Sequence, residues 1–95
     1  MDFEWDEAKR DINFAKHGID FVRAITIWQR PVIDPAETRD LAGEQRVLAL
    51  GIIGEDELIV AVVYVLRGET RRLISARRGR RNERAYYQGQ FGRGR

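Results

Sequence analysis

The chain has 95 residues, 43% hydrophobic and 34% charged, with one histidine and no cysteine. That suffices for one small core and excludes disulfides, thiolate metal sites and a zinc cluster. No apolar run reaches the roughly 18 residues a membrane span needs, and the acidic start MDFEWDEAKR is unlike a signal peptide. A cytoplasmic protein with no cofactor, no metal and no membrane contact is expected.

In chain order, Phe3 to Trp5 read as a short extended piece. Asp6 is placed to cap a helix with Ala8, Ile12 and Ala15 on one stripe, ended by Gly18 after Lys16 and His17. Asp20 caps a second helix on which Phe21, Ala24, Ile25 and Trp28 fall at i, i+3, i+4 and i+7, a core-facing spacing. Pro31 closes it. The stretch PVIDPAETRDLAGEQ reads as a surface loop with a short strand at Val32–Ile33 and solvated acids.

Three strands follow: Arg46–Ile53, ended by the turn signal GED; Glu57–Leu66, apolar on both faces and so central; and Thr70–Arg78 after RGET. Their close spacing predicts an antiparallel meander. A last helix is expected over about Arg80–Gln88, leaving GQFGRGR as a disordered tail. Residues 1–88 then form one domain, with 89–95 outside it. The fold class is α+β: two N-terminal helices, a three- to four-stranded antiparallel sheet and a C-terminal helix.

The net charge of +2 conceals a segregation. Residues 1–66 hold 7 Lys and Arg against 13 acids, a balance of −6, whereas residues 67–95 hold 10 Arg against 2 acids, a balance of +8. Arginine supplies 15 of the 17 basic residues, and its planar fork grips phosphate through paired hydrogen bonds that lysine cannot make. The composition fits a polyanion partner, nucleic acid above all, or equally a solvated charged face.

The stretch LISARRGRRNERAYY concentrates that charge. Strand alternation places Leu73, Ser75 and Arg77 on one side and Ile74, Ala76 and Arg78 on the other, so the two arginines have different tasks. Arg80, Arg84 and Tyr87 fall near one face of the last helix, and Arg67, across the tight turn, could reach the same surface. Such a cluster can bind phosphate, stabilise a phosphoryl transition state or dock an acidic partner.

RNA cleavage requires a proton taken from the 2′-OH, charge stabilisation on the phosphate and a proton given to the leaving oxygen. Arginines can supply the middle requirement without a metal. His17 is the natural proton-transfer candidate, with Lys16 beside it, although a histidine here also serves simply as a helix C-terminal cation. Trp5 is either a core anchor or a stacking platform for a base. Glu83 orients an arginine or acts as a base, and Tyr86 and Tyr87 either pack the helix down or expose a hydroxyl.

Two segments resemble a known family. FEWDEAKRDINFAKHGIDFVRA is similar to the opening of BrnT-type toxins, with W-D, a lysine, an asparagine, K-H-G and F-x-x-A at similar spacing. RRLISARRGRRNERAYY is similar to that family's I-S-A-R-R segment followed by E-R and a tyrosine. The resemblance implies a RelE-like ribonuclease toxin of a type II toxin–antitoxin system, neutralised by a cognate antitoxin through which the complex binds operator DNA. It implies catalytic roles for His17, Arg67, Arg77 and Arg78, and substrate contacts for Trp5 and Tyr87. Lys16, Arg80 and Arg84 join the expected substrate-binding set from their position. Gly79 and Arg80 depart from the alanine and small hydroxyl residue expected before the last helix. A binding module without catalysis, for nucleic acid or antitoxin, is the alternative reading.

Overall fold

In the computed structural model, which describes residues 1–95, Asp6 caps the first helix as its residue type predicts. Its carboxylate accepts from the amides of Ala8 (2.8 Å) and Lys9 (3.3 Å) at the start of α1 (Glu7–His17). Gly18, at φ 72°, closes the helix in the left-handed conformation that glycine adopts without strain. Asp20 likewise caps α2 (Phe21–Ala24), which tightens into a 3₁₀ helix over Ile25–Gln29.

The tightening changes which residues face inward. Phe21, Ala24 and Ile27 are buried at a spacing of three, while Ile25 and Trp28 pack at the core margin. The expected stripe on α1 is also corrected: Ile12 is 66% exposed, and the helix buries Asn13 instead. The Asn13 amide donates to the carbonyls of Ile19 (3.0 Å) and Ala76 (2.9 Å) and accepts from the Ala76 N–H (3.1 Å). A polar residue so fully paired is a sound core residue, and hydrophobic periodicity cannot reveal it.

The sheet has five strands in the order β1-β5-β4-β3-β2 and is mixed, where three or four antiparallel strands were expected. β3 (Glu44–Ile53), β4 (Leu58–Arg67) and β5 (Thr70–Arg78) form the predicted meander. β1 (Asp2–Glu4) adds parallel to Thr70–Arg72, a pairing too short and too distant in sequence to leave a pattern. β2 (Ile33–Leu41) occupies the opposite edge, within the segment read as a loop. Its register jumps between Ile33 and Glu37, around Pro35, which has no N–H to give; edge strands and bulges tolerate such a residue.

The two faces of the sheet carry separate cores. On the α1–α2 side, Phe21, Ala24 and Ile27 pack on Val47, Ala49, Val60, Val62 and Leu73. On the other, α3 (Arg81–Phe91) buries Tyr87 against Leu50, Ile52, Ile59 and Ala61. Gly51 permits the close approach of the 3₁₀ helix, because a Cβ there would lie 2.4 Å from Ile27 Cβ. Gly51→Ala is expected to destabilise by about 1–3 kcal/mol in urea unfolding, since the atoms it meets belong to the fully buried Ile27 side chain.

Gly89 to Phe91, assigned to a tail by the sequence reading, are the last residues of α3. Beyond Gly92, Arg95 donates its backbone N–H to Glu57 (2.9 Å) and accepts from Ile59 (2.9 Å), continuing the line that β5 leaves when it turns into α3. No helix is long and apolar enough to cross a membrane.

Candidate functional site

β5 divides its two terminal arginines as alternation requires. Arg77 pairs opposite Ala61, whose side chain belongs to the core under α3, so it emerges on that face. Arg78 pairs opposite Val60 of the other core and points away from Arg77. Beside Arg77 the start of α3 leaves part of the sheet uncovered. There a groove of about 250 Å³ has Leu48 and Val63 at its base and Arg39, Arg46, Arg77, Arg80, Glu37 and Glu83 around it.

Glu83 holds Arg77 in place. Its carboxylate takes two hydrogen bonds from the guanidinium (2.7 and 3.1 Å) and a third from the backbone N–H of Arg80 (2.7 Å). The Arg77 hydrogen bonds, and after them the Arg80 amide, outweigh burial and hold the Glu83 carboxyl below the usual carboxylate range. Glu83 is therefore an orienting partner and a weak base. Arg77 retains free N–H groups, and the side chain of Arg80 stands exposed without an ion pair.

The other expected site residues are dispersed. His17 and Lys16 are exposed at the end of α1, sharing a shallow depression with Lys9, Asn13, Ile74 and Ser75. Ser75 is two residues from Arg77 on the same strand face, about 7 Å along the strand. No residue lines both this depression and the arginine groove; the strand step from Ser75 to Arg77 is what links them. Arg67 has no such link. It pairs with Thr70 at the far end of the meander, six residues along β4 from Ala61, or about 20 Å, and lies 3.9 Å from Glu44.

Arg84 donates to the Gly79 carbonyl (2.7 Å) and fixes the strand-to-helix turn. Tyr87 is fully buried, its hydroxyl donating to the Pro31 carbonyl (2.6 Å), so it packs α3 and is out of reach of a substrate. Trp5 lies edge-on to Phe21 at 5.9 Å and donates its indole N–H to Glu7 (3.1 Å), as a core anchor does.

Much of the basic segment is occupied inside the fold. Arg71 lies over the rings of Trp28 (5.2 Å) and Tyr64 (5.1 Å) and pairs with Asp34 at 3.0 Å. Burial, then the hydrogen bond to Asp34, pushes the Tyr64 phenol up to about 12. Arg72 pairs with Glu4, Arg93 with Glu57 and Arg95 with Asp56. The segregated charges of the sequence are thus partly the two halves of ion pairs across the sheet. Arg78, Arg80 and Arg81 remain exposed and unpaired at the β5–α3 junction.

The sequence reading missed Arg39, Arg46 and Glu37. A cue existed for Arg46, which shares a face with Leu48, Leu50 and Ile52 by alternation and so marks where the α3-side core ends. No three His, Cys, Asp or Glu side chains converge as a metal site would require.

Fold and groove together define a small α+β protein with an arginine-lined surface suited to a phosphate chain. The chain belongs to the BrnT family, described as the ribonuclease toxin, BrnT, of type II toxin–antitoxin systems, whose model matches residues 5–83. The 1.1 Å crystal structure of the Brucella abortus ribonuclease toxin BrnT is similar, at 32% identity and a TM-score of 0.61. That match covers 85% of this chain and 99% of the Brucella chain. No curated protein sequence matches.

Proposed function

We propose that this chain is an endoribonuclease that cleaves RNA by attack of the 2′-OH on the adjacent phosphate, without a metal. A cognate antitoxin would neutralise it by covering the basic groove, and the complex would reach operator DNA through that antitoxin. Membership of a ribonuclease toxin family supports the class of reaction. The observation that carries the site is Arg77, clamped by Glu83 at the edge of an open groove that Arg80 and Arg46 also line.

In this reading the 2′-oxygen forms a bond to phosphorus while the P–O5′ bond breaks. Arg77 and Arg80 offset the charge that builds on the phosphate oxygens. The electron pair of the broken bond stays on O5′, which takes a proton from the His17 imidazolium. The products are a 2′,3′-cyclic phosphate and a free 5′-hydroxyl. Lys16 holds a neighbouring phosphate, and Arg78 a more distant one. The proton of the 2′-OH passes to water in the open groove.

The test incubates purified, antitoxin-free protein with mixed cellular RNA in EDTA, beside His17→Ala. Fragments ending in cyclic phosphate, produced by the unmodified protein and lost in the variant, are expected. Equal cleavage by both would remove His17 from the mechanism. Salt-sensitive binding without cleavage would make the groove a grip alone.

A further inference from the structure

The arginine groove does not end at Glu83. It runs into a second depression, of about 300 Å³, between α3 and β2, and the two share Glu37, Leu48 and Glu83. The floor of the second is apolar, formed by Ala36, Leu48 and Leu50, and Tyr86 and Asn82 rise from α3 along its side.

The adjacent tyrosines of α3 have opposite fates. Tyr87 is 0% exposed and stacks near Phe91, whereas Tyr86 is 47% exposed and pairs with no other ring. The Tyr86 hydroxyl and the Asn82 amide make no hydrogen bond within the protein. Nothing in the core requires an aromatic at position 86. An unpaired ring beside a phosphate-binding groove is the arrangement by which proteins hold the bases of single-stranded RNA.

We propose that this depression is a nucleobase subsite: the Tyr86 ring stacks on a base of the strand whose phosphate lies on Arg77 and Arg80. Glu37 and Asn82 face the polar edge of that base over the apolar floor. The inference rests on RNA being the ligand of the groove, and it adds Tyr86 to the substrate contacts in place of the buried Tyr87.

The probe is a fluorescein-labelled five-nucleotide RNA carrying 2′-fluoro in place of every 2′-OH, which cannot be cleaved by 2′-OH attack. A matching set has one abasic residue at each position in turn, and affinities are read by anisotropy. A base stack is worth about 1–3 kcal/mol, or roughly 5- to 150-fold in affinity. The unmodified protein is expected to lose that much at one abasic position. Tyr86→Ala should lose as much on the intact probe and then be indifferent to that abasic position, while Tyr86→Phe behaves as the unmodified protein.

Equal sensitivity of Tyr86→Ala and the unmodified protein to every abasic position would overturn the stack and leave the RNA reading standing. An unmodified protein indifferent to all abasic positions would do the same. If no probe binds the unmodified protein at all, the RNA reading itself fails and the subsite with it.

Discussion

Arg77→Ala is expected to slow RNA cleavage by about 10²–10³-fold while weakening RNA binding far less. The asymmetry follows from how the side chain is held. An exposed arginine must be ordered by the substrate, whereas Arg77 is already fixed by two hydrogen bonds to Glu83 and its free N–H groups have a set direction. Such a donor serves the geometry of a transition state better than general attraction to a phosphate chain, which Arg80, Arg46 and Lys16 also supply. Single-turnover cleavage and anisotropy binding separate the two. Losses of equal size would make Arg77 a binding residue only.

The pair also sets an acid limit. Because the Glu83 carboxyl is held below its ordinary range, its stabilising contribution is full above the ordinary glutamate pKa and is lost as pH falls through the depressed value. Glu83→Gln should remove that dependence. It should also slow cleavage, because an amide cannot accept the two hydrogen bonds of the guanidinium with both of its ends.

The largest loss of stability is expected at a residue that does not line the groove. Asn13→Ala removes three hydrogen bonds and leaves the Ala76 N–H and the carbonyls of Ala76 and Ile19 without partners. Each orphaned buried group costs about 1–3 kcal/mol, and water at the sheet edge can satisfy some of them, so about 3 kcal/mol is expected. The measurement is the urea midpoint at unchanged m-value. Asn13→Asp should also destabilise, because a carboxylate keeps the acceptor and loses both donor bonds. A midpoint within error of the unmodified protein for either variant would show that water replaces the amide completely.

What was legible in the sequence follows from the range of the forces involved. Asp6, Gly18 and Asp20 act within a turn of their own position, so both N-terminal helix starts and the first helix end could be read directly. The meander could be read because its strands are consecutive and strongly apolar. β1 and β2 could not: one is three residues long and pairs with a strand far along the chain, and the other is polar because it lies on an edge. Asn13 was invisible because its value lies in partners that only the fold supplies.

The site divides in the same way. Alternation along β5 separated Arg77 from Arg78, but it set Leu73 on the side of Arg77; the register break between Leu73 and Ser75 instead turns Leu73 into the α1–α2 core beside Ala76. Arg67 shows the limit, since a tight turn places it beside Thr70 but at the opposite end of the strands from Arg77. Adjacent tyrosines on a helix point about 100° apart, so one of Tyr86 and Tyr87 had to be exposed. Only the packing of α3 on Leu50 and Ile59 decides which.

The Asn13 amide also bears on how this molecule meets other chains. A bare strand edge invites a second chain to add itself, and aggregation commonly begins that way. Here Asn13 occupies the N–H and C=O of Ala76 as a neighbouring strand would, and β1 covers Thr70–Arg72, so β5 offers no continuous run to pair with. At the other edge, Pro35, the register break and the charges of Glu37, Arg39 and Asp40 discourage the same event. Strand addition is thus disfavoured at both edges, and side-chain fit is the favoured way for another protein to hold this chain.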